Sequence, residues 1–191
     1  MHRTAFVALG SNVGDRLGYL RAAADAIRVL AGAHGFRASR VYATPALKLD
    51  GLGTLDDDDA FLNTAVSFET DATPHQLLAD LLAIETRLGR LPREQRPTWG
   101  PRPIDLDLLL LGDERVDDAT LTLPHPRITE RWFVLAPLAD LAPDRLLRGA
   151  DSAQPPKRIA EWLAACEAST DAAAGVGRIY ADASWASAES F

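Results

Sequence analysis

Apolar positions recur along this chain with two periods, and the switches between them lay out strands and helices in alternation. Thr4 to Leu9 is a short, β-prone apolar run that stops at Gly10-Ser11-Asn12, which predicts a buried first strand. Leu17, Leu20, Ala24, Ile27 and Leu30 then follow at helical spacing. Asn12 or Asp15 is available as cap, and Gly32 and Gly35 as stops. Phe36 to Tyr42 reads as a second strand, closed by Ala43-Thr44-Pro45 because a residue before proline is pushed to extended geometry.

Phe61 to Glu69 alternates with period two. Leu62, Thr64, Val66 and Phe68 take one face, and Phe61 and Asn63 the other. Thr73-Pro74-His75-Gln76 is a compact helix start. The helix it opens runs to about Leu88 with Leu77, Leu78, Leu81, Leu82 and Ile84 inside, and periodicity puts Glu85 on the surface. A strand from Ile104 would gather Ile104, Leu106, Leu108 and Leu110 on one face. One or two short strands within Val116 to Leu123, a helix opening at Thr129, and a last helix over Pro156 to Ala168 complete the order. One domain over 1–168 is expected. The small, polar, Ala-rich residues 169–191 read as a loosely packed or disordered tail.

The chemistry concentrates where this pattern is interrupted. If Ile104, Leu106 and Leu108 face inward, Asp105 and Asp107 share the opposite face, roughly 6.5 Å apart at two residues of strand rise. Two carboxylates so placed repel and resist desolvation unless a cation or several donors lie between them. Hard oxygen ligands completed by water and phosphate suit Mg²⁺, which makes phosphoryl or pyrophosphoryl transfer the first hypothesis; two solvated aspartates at a sheet end are the bland alternative. Arg102, stiffened by a proline on each side, supplies a fork that matches a phosphate. Arg90, Arg93 and Arg96 add positive charge just ahead of it.

Asn63 beside Phe61 can hold the polar edge of a flat heterocycle under an aromatic face, or be simply a turn-facing amide beside a core ring. His125 is fixed between two prolines, with Arg131 and Phe133 a few residues on. The Gly10 to Arg16 turn has neither the lysine of a phosphate loop nor dinucleotide-binding glycine spacing. The loop from Lys48 to Ala60, with four consecutive aspartates from Asp56 to Asp59, reads as an acidic surface lid rather than a calcium loop.

Composition narrows the partners. The chain has 191 residues, 47% hydrophobic and 25% charged, with a net charge of -7, which opposes a protein that coats nucleic acid. Cys166, the single cysteine, excludes an internal disulfide and reads as a helix packing residue. No apolar run approaches the ~20 residues of a spanning helix, and no secretory signal core opens the chain, so a cytoplasmic location and no membrane partner are expected.

Taken in order, several blocks of this sequence resemble the 6-hydroxymethyl-7,8-dihydropterin pyrophosphokinase family. They are Ala8-Leu9-Gly10-Ser11-Asn12, Thr44-Pro45, Phe61-Leu62-Asn63, Glu85 with Gly89-Arg90, Gly100-Pro101-Arg102-Pro103-Ile104-Asp105-Leu106-Asp107, and Leu123-Pro124-His125-Pro126-Arg127 with Arg131 and Phe133. The resemblance implies an ATP-dependent pyrophosphokinase of folate synthesis; a monomer is expected. It implies Asp105 and Asp107 as ligands of two Mg²⁺ ions, and Arg90, Arg102, His125 and Arg131 on the ATP phosphates, with Glu85 lining the nucleotide side. Thr44, Pro45, Leu47, Asn63 and a stack of Phe61 with Phe133 would take the pterin.

The β-α-β-β-α-β order suits the α+β, ferredoxin-like sheet of that family, with helices on one face and extra C-terminal strands and helices. Thr98 and Thr120 stand where basic residues occur in some members. A pterin- or nucleotide-binding paralogue without turnover is the alternative reading.

Overall fold

The computed structural model describes residues 2–30, 34–45, 47–48, 51–52, 60–91, 102–149, 155–169 and 177–187, with backbone only at 47–48 and 51–52. In chain order the elements are β1 (Arg3–Ser11), α1 (Arg16–Leu30), β2 (Arg37–Ala38), β3 (Val41–Thr44), β4 (Leu47–Lys48), β5 (Gly51–Leu52), β6 (Phe61–Thr70), α2 (Pro74–Arg87), β7 (Asp105–Leu111), β8 (Val116–Asp117), β9 (Thr122–Leu123), α3 (Trp132–Leu141), β10 (Leu146–Leu147), β11 (Lys157–Arg158), α4 (Ile159–Ala168) and β12 (Arg178–Ala181). A turn of 3-10 helix, Ala183–Ala186, follows.

The main sheet runs β12-β3-β6-β1-β7, with β2 also pairing β6. β6 lies antiparallel to both β1 and β3, so β1 and β3 share a direction with one strand between them, the split β-α-β arrangement of a ferredoxin-like fold.

Local chemistry accounts for the main elements. Asp15 caps α1, its Oδ1 accepting from Gly18 N at 3.0 Å, and Asn12 serves elsewhere. Thr73 Oγ1 accepts from Gln76 N at 3.3 Å to open α2, and Gly89, at φ 89°, lets the chain leave it. The second strand splits in two around Ser39-Arg40. Pairing shifts there from Ala38 opposite Val66 to Tyr42 opposite Asn63, a one-residue slip that the buried Ser39 stabilises through its hydroxyl.

Apolar faces set the layers. Leu20, Ala24 and Ile27 of α1 and Leu77, Leu81 and Ile84 of α2 pack on Val7, Leu9, Leu62, Val66, Leu106 and Leu108. The expectation of helices on one face holds for these two only. Phe6, Ala65, Leu109 and Leu110 make the other face apolar as well, and α3 and α4 cover it through Leu135, Leu138 and Ile159.

A bulge explains one departure within β7. Phe6 pairs with Leu110 but Val7 with Leu108, so the alternation breaks at Leu109. Leu110 joins the α3 face, and Leu111 replaces it on the α1/α2 face. Leu82, expected inside, is 47% exposed. The helix expected from Thr129 begins at Trp132, because turns closed by Ile128 N to His125 O and Glu130 N to Arg127 O occupy the preceding residues. The last helix begins at Ile159, since Lys157 and Arg158 are drawn into the β10–β11 pair.

Part of the segment expected to pack loosely is built into the sheet. β12 lies beside β3, and Trp185 is 4% exposed. Its indole N–H donates to Ser39 O at 2.8 Å, so one large apolar side chain among small polar ones anchors the segment. The acidic run Asp56–Asp59, Arg93, Arg96, Thr98 and Trp99 lie outside the described residues, as does the side chain of Leu47. Among the described residues no helix is long and apolar enough to cross a membrane.

Candidate functional site

Three adjacent strands bring the predicted residues into one row. Gly10 on β1 lies opposite Asn63 on β6 and Asp105 on β7. In the next row of the same face Ala8 lies between Ala65 and Asp107. Gly10, Ala8 and Ala65 form a floor almost without side chains, and α3 packs on the far part of this face. A Cβ at Gly10 would sit 3.3 Å from Asn63 Oδ1 and 3.9 Å from both Asp105 Cβ and Phe61 Cδ1, so glycine lets an amide, a carboxylate and an aromatic edge converge. The Asn63 amide donates to Thr44 Oγ1 at 2.7 Å; both residues are buried, and this bond fixes the orientation of the amide.

The carboxylates sit in a mesh of cations. Asp105 pairs with Arg102 at 2.6 Å and with Arg90, which is almost wholly buried and also pairs with Glu85. Glu85 itself is 2% exposed and accepts from Leu106 N at 2.7 Å. The surface position expected for Glu85 is therefore corrected. Helical periodicity describes apolar packing and is blind to a buried carboxylate that has an arginine and a backbone N–H to satisfy it.

Asp107 is perturbed differently. Burial, then repulsion from Asp105, push its carboxyl above the ordinary range, while His125, Arg131 and Arg90 pull it back. Burial, followed by the cations at Arg131 and Arg127, lowers the His125 imidazolium pKa against the pull of Asp107 and Asp105. His125 is held by backbone and ring, its backbone N–H donating to Leu109 O at 3.0 Å and its Nδ1 accepting from Arg127 N at 3.2 Å, which leaves the ring proton on Nε2. Burial, then Arg127, also lower the Arg131 pKa, though a guanidinium stays charged. Its charge lies 5.4 Å from the centre of the Phe133 ring.

Asn12 is a site residue that the sequence reading left as a possible helix cap. Its N–H donates to Arg102 O at 3.1 Å, and its Oδ1 accepts from Arg102 N at 2.7 Å. This two-way bracket ties the end of β1 to the residue that pairs with Asp105. The polar dipeptide closing an apolar strand was the available signal, but spacing alone could not give it a partner ninety residues away.

The remaining predicted residues fall on the walls. Thr44 ends β3, Pro45 follows it, and Phe61 opens β6. Phe133 lies in the first turn of α3, half-buried against the clusters containing Ala65 and Tyr42. Thr120 stays in an exposed turn, where its hydroxyl donates to Asp118 Oδ1 at 2.7 Å.

Two carboxylates meshed with arginines beside an amide and aromatic wall, on a ferredoxin-like sheet, define a phosphoryl-handling α+β protein. Comparison with known proteins narrows the class. Residues 6–143 match the family described as 7,8-dihydro-6-hydroxymethylpterin-pyrophosphokinase. The 2-amino-4-hydroxy-6-hydroxymethyldihydropteridine pyrophosphokinase of Methylorubrum extorquens is 43% identical over 145 residues, covering 76% of this chain and 86% of the relative. The Pseudomonas aeruginosa protein of the same description is 40% identical over 166 residues, covering 87% and 93%. A crystal structure of the HPPK-DHPS protein of Plasmodium falciparum superposes with a TM-score of 0.59 at 15% identity, over 86% of this chain and 42% of that one, and supports the fold. This chain belongs to the 7,8-dihydro-6-hydroxymethylpterin-pyrophosphokinase family.

Proposed function

We propose that this chain transfers pyrophosphate from ATP to the hydroxymethyl group of 6-hydroxymethyl-7,8-dihydropterin, releasing AMP, as a step of folate synthesis. The observation that carries the reading is the row Asn63–Gly10–Asp105, which sets a heterocycle-binding amide and a carboxylate with its arginines on either side of one glycine strand position. On this reading the enzyme is a monomeric, cytoplasmic protein whose partners are two small molecules.

Asp105 and Asp107 fit a divalent cation by the chemistry of their oxygen donors and by the strain on Asp107, whose proton affinity is raised by burial and by its neighbour. Two Mg²⁺ ions held by this pair would neutralise charge on the polyphosphate. The rest of the chemistry falls to the chain itself. Arg102, 40% exposed, can turn from Asp105 to a phosphate oxygen, whereas Arg90 is fixed by Glu85 and presents its charge without reorganising. His125 donates from Nε2, and Arg131 adds a cation on the same side.

Thr44 orients the Asn63 amide toward the polar edge of the pterin, with Phe61 and Phe133 covering its faces and Pro45 at the rim. The hydroxymethyl oxygen bonds to the β-phosphorus in line with the departing bridging oxygen, AMP leaves with that oxygen, and the hydroxyl proton passes to water. Positioning and charge complementarity account for the rate, with no covalent protein intermediate.

The test is AMP formation from ATP, Mg²⁺ and the pterin alcohol, with omission of each component in turn. AMP that appears only when all three are present supports the reading; tight binding of both substrates with no AMP would leave a binding paralogue in its place. Asn12→Ala is expected to raise KM for ATP roughly tenfold by loosening Arg102, with little change in pterin affinity. Steady-state kinetics and a separate pterin titration check both halves.

A further inference from the structure

The family match ends at residue 143, and β12 joins the sheet well beyond it. The strand pairs with β3, placing Arg178 opposite Ala43 and Ile179 opposite Tyr42. Gly177, which precedes it, is wedged between the two walls of the site. A Cβ there would fall 2.1 Å from the Ala43 carbonyl oxygen, 2.7 Å from Thr44 Cγ2 and 2.9 Å from Trp132 Cζ3. The first is backbone and the last belongs to an indole that is 7% exposed, so neither can give way cheaply. Only hydrogen fits.

Both neighbours lead to the pterin side. Thr44 orients the Asn63 amide through a 2.7 Å bond. Trp132 opens α3 immediately before Phe133 and meets Tyr42 edge-on, 5.5 Å between ring centres. The far end of the segment is also anchored. Trp185 Nε1 donates to Ser39 O, and the Ser39 hydroxyl bonds the Thr64 hydroxyl and accepts from Ala65 N at 2.9 Å, at the slip between β2 and β3. Arg21 and Arg28 of α1 donate to the carbonyls of Trp185 and Ala186.

We propose that residues 177–187 are a positioning element of the pterin subsite, in which Gly177 sets the separation of Thr44 from the start of α3 and Trp185 holds β3 in register. The proposal rests on the pterin reading above. Gly177 and Trp185 act through Thr44, Asn63 and Phe133, so they govern pterin affinity far more than ATP affinity; Arg131, next to Trp132, is the one ATP-side group they adjoin, and the others are held by β7, α2, Asn12 and the His125 turn.

Gly177→Ala and Trp185→Phe in the full chain test it. Gly177→Ala is expected to raise KM and Kd for the pterin alcohol about tenfold or more. Trp185→Phe, which keeps a ring but loses the bond to Ser39, should raise them about threefold. In both variants the Kd of a non-hydrolysable ATP analogue, measured without pterin, stays within about twofold of wild type. Pterin constants unchanged in both variants, or pterin and ATP affinities falling together, would overturn the proposal. A wild-type protein that makes no AMP from the pterin alcohol would instead refute the functional reading itself, and that control is run first.

Discussion

Asp107→Asn is expected to cut AMP formation on the order of a thousandfold or more while raising the melting temperature of the ligand-free protein. Both effects come from one cause. Asp107 is half-buried beside Asp105, and its carboxyl is pushed up in the folded chain relative to its ordinary value of 3.8, so holding it ionised at neutral pH costs stability. The sign follows from that direction. A raised folded pKa contributes stability that is fully present below the unfolded pKa and is lost as pH rises through the folded pKa.

Asparagine, which cannot ionise, should therefore match wild type in strong acid and exceed it increasingly as pH rises to neutrality. Each kcal/mol gained corresponds to about 2–4 °C in a chain of this size. Calorimetry from pH 4 to 8 and AMP release at saturating substrates measure the two effects. A variant with near-normal turnover would remove the metal role, and a melting point below wild type at pH 8 would contradict the electrostatic account.

Glu85→Ala is expected to be among the most destabilising single changes in the chain, costing about 3–5 kcal/mol. It removes a carboxylate from a buried arginine and, in the same step, the acceptor for Leu106 N. Glu85→Gln retains an oxygen for that N–H and loses only the charge, so it should cost less than half as much. Urea unfolding of both variants separates the contributions. Equal costs would mean the backbone bond matters little; a Glu85→Ala cost under about 1 kcal/mol would mean the pair is not buried in solution as it is here. Activity should fall with Glu85→Gln as well, because Arg90 would then be held by Asp105 alone of its two carboxylates.

The parts of the site that obey period two were legible before any coordinates. Alternation placed Asp105 with Asp107 and Phe61 with Asn63, and the structure adds that Gly10 lies between Asn63 and Asp105, with Ala8 beside Asp107. What escaped the pattern did so for identifiable reasons. The bulge at Leu109 reverses which leucine faces inward, and nothing in Leu108-Leu109-Leu110-Leu111 marks where an extra residue is accommodated. Glu85 looked exposed because a charge on a helix usually is, and its neutralising arginine comes from beyond the helix end. Residues 169–191 looked unable to pack because their composition is small and polar, yet within them Trp185 supplies a buried side chain and β12 pairs with β3.

The strand Asp105–Leu111 ends the main sheet, and among the described residues no strand pairs with its outer side. Leu106 N is taken by Glu85 and Leu109 O by the N–H of His125, so two residues assigned to the reaction also occupy backbone groups that another chain could use for pairing. Replacing Glu85 therefore carries a second liability, an edge N–H at Leu106 left open to pairing with another chain, and a loss of soluble yield is expected to accompany the loss of turnover.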